Sequence, residues 1–175
     1  MSERETVWEG KHLRVVVKQG WQCVERKGIT GIVCIVPVTV DDELVLIEQY
    51  RAPVDARVIE MPAGLVGDEP GKEDEPFEEA AGRELLEETG YEALTMERLF
   101  DGVVSAGLSD ERLTFFLAKG CKKVGPGGGD SSEDITVHVV PRKNVLGWIE
   151  EQRRAGKTVD VKAMAILAFW LNPPV

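Results

Sequence analysis

Three glutamates lie close together in residues 83–90, which read RELLEETG. With about 100° of rotation per residue, Glu87, Glu84 and Glu88 fall near 40°, 100° and 140° from the first residue of this run, so the three carboxylates share one sector of a helix. Clustered carboxylates repel one another unless cations lie among them. Mg²⁺ prefers such oxygen ligands, with water and phosphate groups completing its coordination. The run therefore indicates a magnesium site, in which Arg83 pairs with one carboxylate and holds its orientation.

The surrounding sequence predicts the helix that carries these carboxylates. The segment Phe77–Thr89 is rich in helix formers, Pro76 suits the first turn and Gly90 suits the stop. Leu85 and Leu86 lie on the side opposite the carboxylates, where we expect them to pack on a sheet.

A solvated acidic face is the simpler interpretation of three glutamates on a helix, since such faces are common. Glu87 and Glu88 lie in the last turn, however, where the helix dipole makes carboxylates mildly unfavourable. Something must therefore compensate their charge, and the wider spacing described below favours the metal site.

Strands and further helices must position this helix. Alternation of apolar and polar residues predicts two short strands within residues 12–26, on either side of a turn at Gln19-Gly20. Further strands, several of them β-branched, are predicted at 31–37, 43–50, 57–61, 94–104, 112–118 and 135–140. Helices are predicted at 142–155 and 161–171, and loops at 64–74 and 121–134. In the last helix one predicted core face comprises Val161, Met164, Ala165, Ala168 and Leu171.

Composition and charge exclude several classes of protein. The chain has 175 residues, of which 43% are hydrophobic and 30% charged, as expected for one globular domain. Its formal net charge is -10, which disfavours a nucleic-acid partner because such a surface repels phosphate backbones. An anionic small substrate remains compatible, since bound divalent cations invert the local field.

The cysteines and the hydropathy indicate the compartment. Cys23, Cys34 and Cys121 are odd in number and lack metal-ligand spacing, which disfavours a disulfide framework or a zinc site. Residues 1–10 lack an apolar signal segment, and no stretch has the length of a membrane helix. We therefore expect a cytoplasmic protein with no membrane partner.

The acidic run resembles the signature of a known family. Nudix hydrolases carry the box G-x5-E-x7-R-E-U-x-E-E-x-G-U, where U is a bulky apolar residue. Glu75 followed by residues 83–91, with Tyr91 as the last apolar position, matches the second half. The first half departs from the pattern, because ten residues rather than five separate Gly64 from Glu75. We interpret the difference as an insertion within residues 66–74 that lengthens the loop before the box helix.

Segments outside the box are similar to one branch of this family, the ADP-ribose pyrophosphatases and their relatives that cleave nucleoside diphosphate sugars. These segments are residues 46–51 (LIEQYR), 60–64 (EMPAG) and 133–138 (EDITVH). Many members of that branch have a proline sixteen residues after the box glycine, where this chain has Ala106. The substitution weakens the case for ADP-ribose relative to other nucleoside diphosphate sugars without selecting one.

The resemblance implies a role for each residue of the metal site. Glu84, Glu88 and the carbonyl of Ala63 would be metal ligands, and Glu87 would be a further ligand or act through water. Mg²⁺, or Mn²⁺ in its place, would promote attack of a water on a phosphorus of the diphosphate. Arg83 would support catalysis by orienting these carboxylates.

Residues of other segments would bind the substrate and accept a proton. Relatives take the base from this loop, where Ser131 stands at the position of one relative's base and Glu133 aligns with a second acid. Glu133 is therefore the preferred base, with Asp130 in reserve. Arg51 matches a position that contacts the substrate diphosphate or its second sugar, and Glu111 and Arg112 match a second substrate loop. Trp21 and Tyr50 could stack on a base, although core packing is the more common role, and His138 is expected to be structural.

The resemblance also implies the architecture, an α/β fold of αβα sandwich type. We expect a mixed β-sheet with the box helix on one face and the C-terminal helices on the other, in one domain spanning residues 1–175. Residues 26–175 would form the core, and strands within residues 1–25 could form a homodimer, since this branch often builds its substrate pocket across two chains.

Three other functions remain open at this point. One is hydrolysis of nucleoside triphosphates or dinucleoside polyphosphates, against which the EMPAG segment and the C-terminal helices argue. Another is a Nudix-like domain that binds nucleotides without catalysis, which would predict a damaged box. The last is an acidic structural or interaction domain, which leaves the helix spacing unexplained.

Overall fold

The computed structural model of the chain describes residues 4–129 and 133–171, and its strands form two sheets. The strands are β1 (Arg4–Glu9), β2 (Leu13–Lys18), β3 (Trp21–Arg26), β4 (Gly31–Thr39), β5 (Glu43–Arg51), β6 (Ala56–Glu60), β7 (Ala63–Val66), β8 (Tyr91–Glu92), β9 (Thr95–Val103), β10 (Arg112–Lys123), β11 (Thr136–Pro141) and β12 (Thr158–Val159). The α-helices in this part of the chain are α1 (Phe77–Thr89), which is the box helix, α2 (Val145–Arg154) and α3 (Val161–Leu171).

The first sheet contains β1, β2 and β3, each antiparallel to the next. The predicted turn at Gln19-Gly20 is confirmed. Both residues have positive φ, 52° and 83°, and Gly20 adopts this conformation at little cost because it has no Cβ. The sequence pattern did not predict β1, whose six residues are all exposed. This strand forms by pairing with β2 rather than by burying an apolar face.

The second sheet is mixed, as predicted. Its strand order is β12-β6-β5-β4-β10-β8, with β11 beside β5, β7 beside β4 and β9 beside β10. β10 runs parallel to β4, and β12 runs parallel to β6. The β-branched run of β4 lies near the middle, where both faces of the strand are buried.

Helices cover both faces of this sheet. Alternate residues of β4 point to opposite faces, so Val33 and Ile35 pack in one cluster with Leu85 of α1, whereas Cys34 and Val36 belong to the other cluster. The helical members of that second cluster, from α2 and α3, are Val145, Ile149, Ala163, Ile166 and Leu167. This arrangement confirms the predicted αβα sandwich.

The prediction for the buried face of α3 is wrong. The structure buries Ala163, Ile166 and Leu167, whereas Val161 is 77% and Met164 37% exposed. Ala165 of the predicted face is also exposed, and the side chains of Ala168 and Leu171 lie outside the described part of the chain. Because Lys162 is the only polar residue in this helix, the apolar pattern defines no single face.

Three local predictions also need correction. Leu85 is buried as expected, but Leu86 is 38% exposed, because a rotation of one residue takes it away from the sheet. Residues 64–66, predicted as loop, belong to β7, which pairs with β4. The loop predicted from residue 121 begins after Lys123, because β10 continues along β4 and β8. None of the described helices has the length and apolar character needed to cross a bilayer.

Candidate active site

The ends of α1 lie where the sequence predicts them. Pro76 precedes the helix with extended backbone angles, and Gly90 ends it in the left-handed conformation with φ of 73°. The Gly90 N–H donates to the Leu86 carbonyl at 2.8 Å. A glycine is required here because a Cβ on Gly90 would lie 2.3 Å from the Gly125 carbonyl oxygen.

Two amides from a distant segment complete the C-terminal end of α1. The Gly128 N–H donates to the Glu88 carbonyl at 2.9 Å, and the Gly129 N–H donates to the Glu87 carbonyl at 3.1 Å. These bonds satisfy carbonyls that the end of a helix leaves without partners. They also fix the glycine-rich segment before β11 directly beside the acidic residues.

Two carboxylates of α1 are held against β7. The Glu88 side chain is 2% exposed and accepts a hydrogen bond from the Ala63 N–H at 2.9 Å. The Glu84 carboxylate lies over Gly64, where an added Cβ would come within 1.9 Å of the carboxyl carbon. A glycine at position 64 therefore leaves the space that the Glu84 carboxylate occupies.

Burial makes both charges costly. It raises the pKa of Glu88 well above its ordinary value, although the Ala63 N–H lowers it. Burial also raises the pKa of Glu84 to about 7, against the lowering effect of Arg83. A divalent cation between the two carboxylates would remove this penalty, because it stabilises the ionised form of each.

Arg83 holds the first carboxylate and the loop before the helix. Its guanidinium donates to both oxygens of Glu75 at 3.0 Å, to Glu84 at 2.8 Å and to the Leu65 carbonyl at 3.2 Å. Such a two-point pair with a carboxylate fixes orientation as well as charge. Glu87 lies farther away, with an oxygen 3.9 Å from the guanidinium and a side chain 40% exposed.

A cleft of about 750 Å³ opens over these carboxylates. Of the residues predicted for the site, it is lined by Arg51, Ala63, Arg83, Glu84, Glu87, Glu111 and Glu133. Glu88 lies buried beneath the cleft, next to Ala63. The structure thus brings together residues from five segments that are far apart in the sequence.

Besides Glu88, two predicted residues are not among the described residues that line this cleft. Arg112 lines an adjoining cleft of about 390 Å³, which shares Arg26, Ile32 and Glu111 with the first. Asp130, the reserve base, lies outside the described residues. The roles of both residues stay predictions.

Arginines in the cleft are paired with carboxylates. Arg51 donates to both oxygens of Glu60, at 3.1 Å from Nε and 2.5 Å from Nη2. Arg26 of β3 donates to Glu111 at 2.5 Å. These pairs set the direction of each guanidinium before any anion arrives.

Glu133 lines the cleft from the segment that precedes β11. Its carboxylate lies so close to Gly129 that a Cβ there would come within 2.2 Å of Oε2. Burial is the main cause of the raised pKa of Glu88, and the Ala63 amide acts against it. The charge of Glu84 and, to a smaller extent, that of Glu133 also raise this pKa. Glu133 therefore lines the same cleft as Glu84 and Glu87.

Several residues of the cleft were not predicted. The charged ones among them are Arg26, Glu60, Asp68, Glu69 and Lys162. A signal existed for Glu60, which belongs to the EMPAG segment, and for Asp68 and Glu69, which belong to the inserted loop. Nothing in the sequence around Arg26 or Lys162 indicates that β3 and α3 approach the site.

The expectation that Trp21 and Tyr50 pack in the core is wrong. Their exposed fractions are 68% and 52%, and the Tyr50 hydroxyl donates to Asp55 at 2.6 Å. His138 was expected to be structural. Its Nε2 lies 2.9 Å from Glu48 Oε2, and its ring packs at a tilt of 54° against the ring of Trp148.

The donor set at this site suits a hard divalent cation. In the part of the chain described, no three acidic, histidine or cysteine side chains converge as a complete metal cage. Mg²⁺ in nucleotide sites is typically held by one or two carboxylates together with phosphate and water, so such a cage is not required. Glu84, Glu87, Glu88 and the backbone of Ala63 supply only oxygen ligands, consistent with that chemistry.

Fold and site together define an αβα sandwich with an acidic, arginine-lined cleft suited to a divalent cation and an anionic ligand. Residues 29–157 match the model of the NUDIX domain, and the chain belongs to that family. This match confirms the family resemblance inferred from the RELLEETG run.

Curated relatives of this chain carry several different names. The chain is 35% identical over 126 residues to the methanol dehydrogenase activator of Bacillus methanolicus, covering 70% of this chain and 64% of that protein. It is 32% identical to the GDP-mannose pyrophosphatase of Pectobacterium atrosepticum, with coverage of 73% and 67%, and 34% identical to the ADP-ribose pyrophosphatase of Escherichia coli K12, with coverage of 76% and 63%. The matched part thus spans about two thirds of the length of these relatives.

A solved structure supports the fold. The crystal structure of an ADP compounds hydrolase superposes with a TM-score of 0.64 at 24% identity, covering 83% of this chain and 80% of that one. At this identity the likeness shows the shared fold, and it agrees with the predicted sandwich.

Proposed function

We propose that this chain is a divalent-metal-dependent pyrophosphohydrolase that cleaves the diphosphate of ADP-ribose or a related nucleoside diphosphate sugar. Its products would be a nucleoside monophosphate and a sugar phosphate. The observation that carries the proposal is a pair of carboxylates, the buried Glu88 and the largely buried Glu84, held against Ala63 and Gly64 at the base of an arginine-lined cleft. The ADP-ribose and GDP-mannose pyrophosphatases among the relatives support the substrate class.

The proposed roles follow from where each group lies. Glu84, Glu87, Glu88 and the carbonyl of Ala63 would hold Mg²⁺, or Mn²⁺ in its place. The cation would offset the charge that develops on the diphosphate as it is cleaved. Arg83 keeps the Glu84 carboxylate in place through their 2.8 Å hydrogen bond.

Substrate binding would fall to the paired arginines and the loop before β10. Arg51 can present its guanidinium to a phosphate while Glu60 fixes its orientation. Glu111 lines the same cleft, and Arg112 lines the adjoining one, so the two would contact different parts of a substrate that spans both.

Glu133 would accept the proton of the attacking water. Its placement beside Gly129 supports this role, because Gly129 is itself bonded to the Glu87 carbonyl of α1. Asp130 remains the reserve base.

The proposal includes a cytoplasmic homodimer. The three cysteines are free thiols, as is usual in a reducing compartment. A partly exposed apolar patch on the first sheet, formed by Trp8, Leu13, Val15 and Val24, supports pairing with a second copy of the chain.

The test is release of a nucleoside monophosphate from a panel of nucleoside diphosphate sugars, triphosphates and dinucleoside polyphosphates, each with Mg²⁺ and with Mn²⁺. We expect AMP from ADP-ribose, or the matching monophosphate from another nucleotide sugar. Glu87→Gln should lower kcat/KM at least about 100-fold, as loss of a group that stabilises the transition state does.

Arg154→Gln is the matched control, since Arg154 is exposed on α2 and pairs only with Glu150 in the described contacts. Full activity of Glu87→Gln would overturn the assignment of the site. Cleavage of triphosphates alone would replace the proposed substrate class, and binding without cleavage would favour the non-catalytic domain.

A further inference from the structure

Arg57 of β6 makes five hydrogen bonds, although it lies outside the residues that line the cleft. Its Nε donates to Glu48 Oε1 at 3.0 Å and its Nη1 to Asp134 Oδ2 at 2.7 Å. Its Nη2 lies 3.2 Å from three acceptors, the carbonyls of Glu48 and Asp134 and the hydroxyl of Thr136. One guanidinium thus joins β5 and β6 to the residues at the start of β11.

Glu48, which accepts a hydrogen bond from Arg57, is itself held in place by other residues. Glu48 lies on β5, which pairs with β6 on one side and β11 on the other. Burial opposes its ionisation, but hydrogen bonds from Lys157, His138 and Arg57 outweigh burial and lower the pKa of Glu48 to about 2. The carboxylate therefore stays charged at neutral pH and holds the guanidinium in one direction.

Asp134, the other carboxylate that Arg57 contacts, is the neighbour of the proposed base Glu133. Asp134 directly follows Glu133 in the sequence, and its carboxylate and carbonyl both accept from Arg57. On the preceding side, Gly129 is bonded to the Glu87 carbonyl. Glu133 therefore lies between two anchors, one on α1 and the other on the sheet.

We infer that Arg57 is a positioning residue that holds the Glu133 carboxylate over the cleft by fixing Asp134. The inference rests on the proposed function. Arg57 touches neither the cleft nor the α1 carboxylates in any described contact, so its effect on the reaction would pass through Glu133.

The same contacts indicate that Arg57 contributes little to global stability. The Asp134 side chain is 82% exposed, and ion pairs with exposed partners contribute weakly to folding. Glu48 keeps Lys157 and His138 when Arg57 is removed, so no buried charge is left without a partner. A substitution should therefore affect the position of Glu133 more than the fold.

The kinetic test compares Arg57→Gln, Arg57→Lys and the control Arg154→Gln on the best substrate of the panel. We expect Arg57→Gln to lower kcat on the order of 10- to 100-fold, as misplacement of a reacting group does, with KM within about 3-fold of wild type. Arg57→Lys should recover part of the loss, because it keeps the charge but not the fork. Arg154→Gln should match wild type.

A double-variant cycle tests whether Arg57 acts through Glu133. In the Glu133→Gln background, Arg57→Gln should cause no further loss of kcat. A full additional loss there, an unchanged kcat in the single variant, or an effect confined to KM would overturn the inference.

Hydrogen–deuterium exchange gives a readout that does not depend on activity. Amides of peptides that include Glu133, Asp134 and Thr136 should exchange faster in Arg57→Gln than in wild type, while those of α1 residues 77–86 stay unchanged. Unchanged exchange at the start of β11 would overturn the anchoring role. An inactive wild-type protein would instead overturn the proposed function and the kinetic part of this inference, leaving exchange to decide the anchoring alone.

Discussion

Individual residues at the base of the cleft combine short contacts with buried charge. Glu84 and Glu88 are one helical turn apart, so their proximity follows from the sequence spacing alone. The spacing could not show which surface the two carboxylates face. They face β7, and β7 is placed beside α1 by its pairing with β4. The EMPAG segment indicated that Ala63 and Gly64 matter, but their contacts with Glu88 and Glu84 required the fold.

Gly64→Ala tests how closely this surface fits Glu84. The new Cβ would lie 1.9 Å from the Glu84 carboxyl carbon, so the carboxylate must move out of its place. We expect at least about 10-fold lower kcat/KM, since a small displacement at a reacting site has a large effect on rate. The measurement is steady-state hydrolysis of the best substrate of the panel, with the melting temperature recorded alongside.

Gly82→Ala is the matched control on α1. An added Cβ at Gly82 meets nothing within 4 Å, and alanine in a helix interior is more stable than glycine by roughly 1 kcal/mol. This variant should keep full activity and melt at a higher temperature. Equal activities of the two variants would show that the Gly64 surface does not position Glu84.

At the scale of elements, local patterns predicted much of the fold. The limits of α1 followed from Pro76 and Gly90, and β4 and β5 from their β-branched runs. The face of α3 could not be predicted, because an almost wholly apolar helix has no polar side to mark solvent. β1 and β7 were missed for a related reason, since each becomes a strand by pairing with a neighbour.

The hydrogen bonds of the Glu48 carboxylate connect several strands of the second sheet. Glu48 connects β5 to Arg57 of β6, His138 of β11 and Lys157, which immediately precedes β12. Glu48→Gln should reduce the free energy of unfolding by roughly 1.5–3 kcal/mol at neutral pH, the range for hydrogen bonds to charged groups. Urea unfolding at pH 7 measures the difference.

The pH dependence of this difference follows from the depressed pKa. Burial raises the pKa of Glu48, but hydrogen bonds from Lys157, His138 and Arg57 outweigh burial and lower the pKa from 4.5 to about 2. Its stabilisation is therefore complete above about pH 4.5 and is lost as the pH falls toward 2. The gap between wild type and Glu48→Gln should narrow between pH 5 and pH 3, and a constant or widening gap would contradict the assignment.

For the whole molecule, the question is how the small first sheet relates to the core. A buried carboxylate, Glu25, accepts hydrogen bonds from Arg4 and Arg14 at 2.5 Å and pairs with Lys18. Lys18 also reaches Asp110 at 3.1 Å, in the loop before β10. Together with the pair of Arg26 and Glu111, these contacts place the first sheet at the rim of the cleft, which its sequence separation from the core would not predict.

One face of that sheet carries an apolar patch that remains partly exposed, flanked by Arg26 opposite Leu13 and by Gln22 opposite Val17. Trp8, Val15 and Val24 lie in register across the three strands, and Leu13 lies two residues from Val15 on the same face. Trp8 is 57% and Leu13 38% exposed. Contiguous exposed apolar residues of this kind commonly mark an interaction surface, and a second copy of this chain is the occupant we propose.

The dimer is tested by light scattering coupled to size exclusion, at several protein concentrations. We expect wild type to have the mass of two chains and Trp8→Glu to shift toward one, because a two-fold interface would bring two new carboxylates close together in a chain whose net charge is already -10. Leu94→Glu is the control, since Leu94 is 83% exposed in the turn between β8 and β9, outside the first sheet. A monomeric wild type, or an equal response of the two variants, would exclude this face as the interface. If Trp8→Glu becomes monomeric and also loses activity while its melting temperature is kept, the second copy completes the cleft at the rim formed by the first sheet.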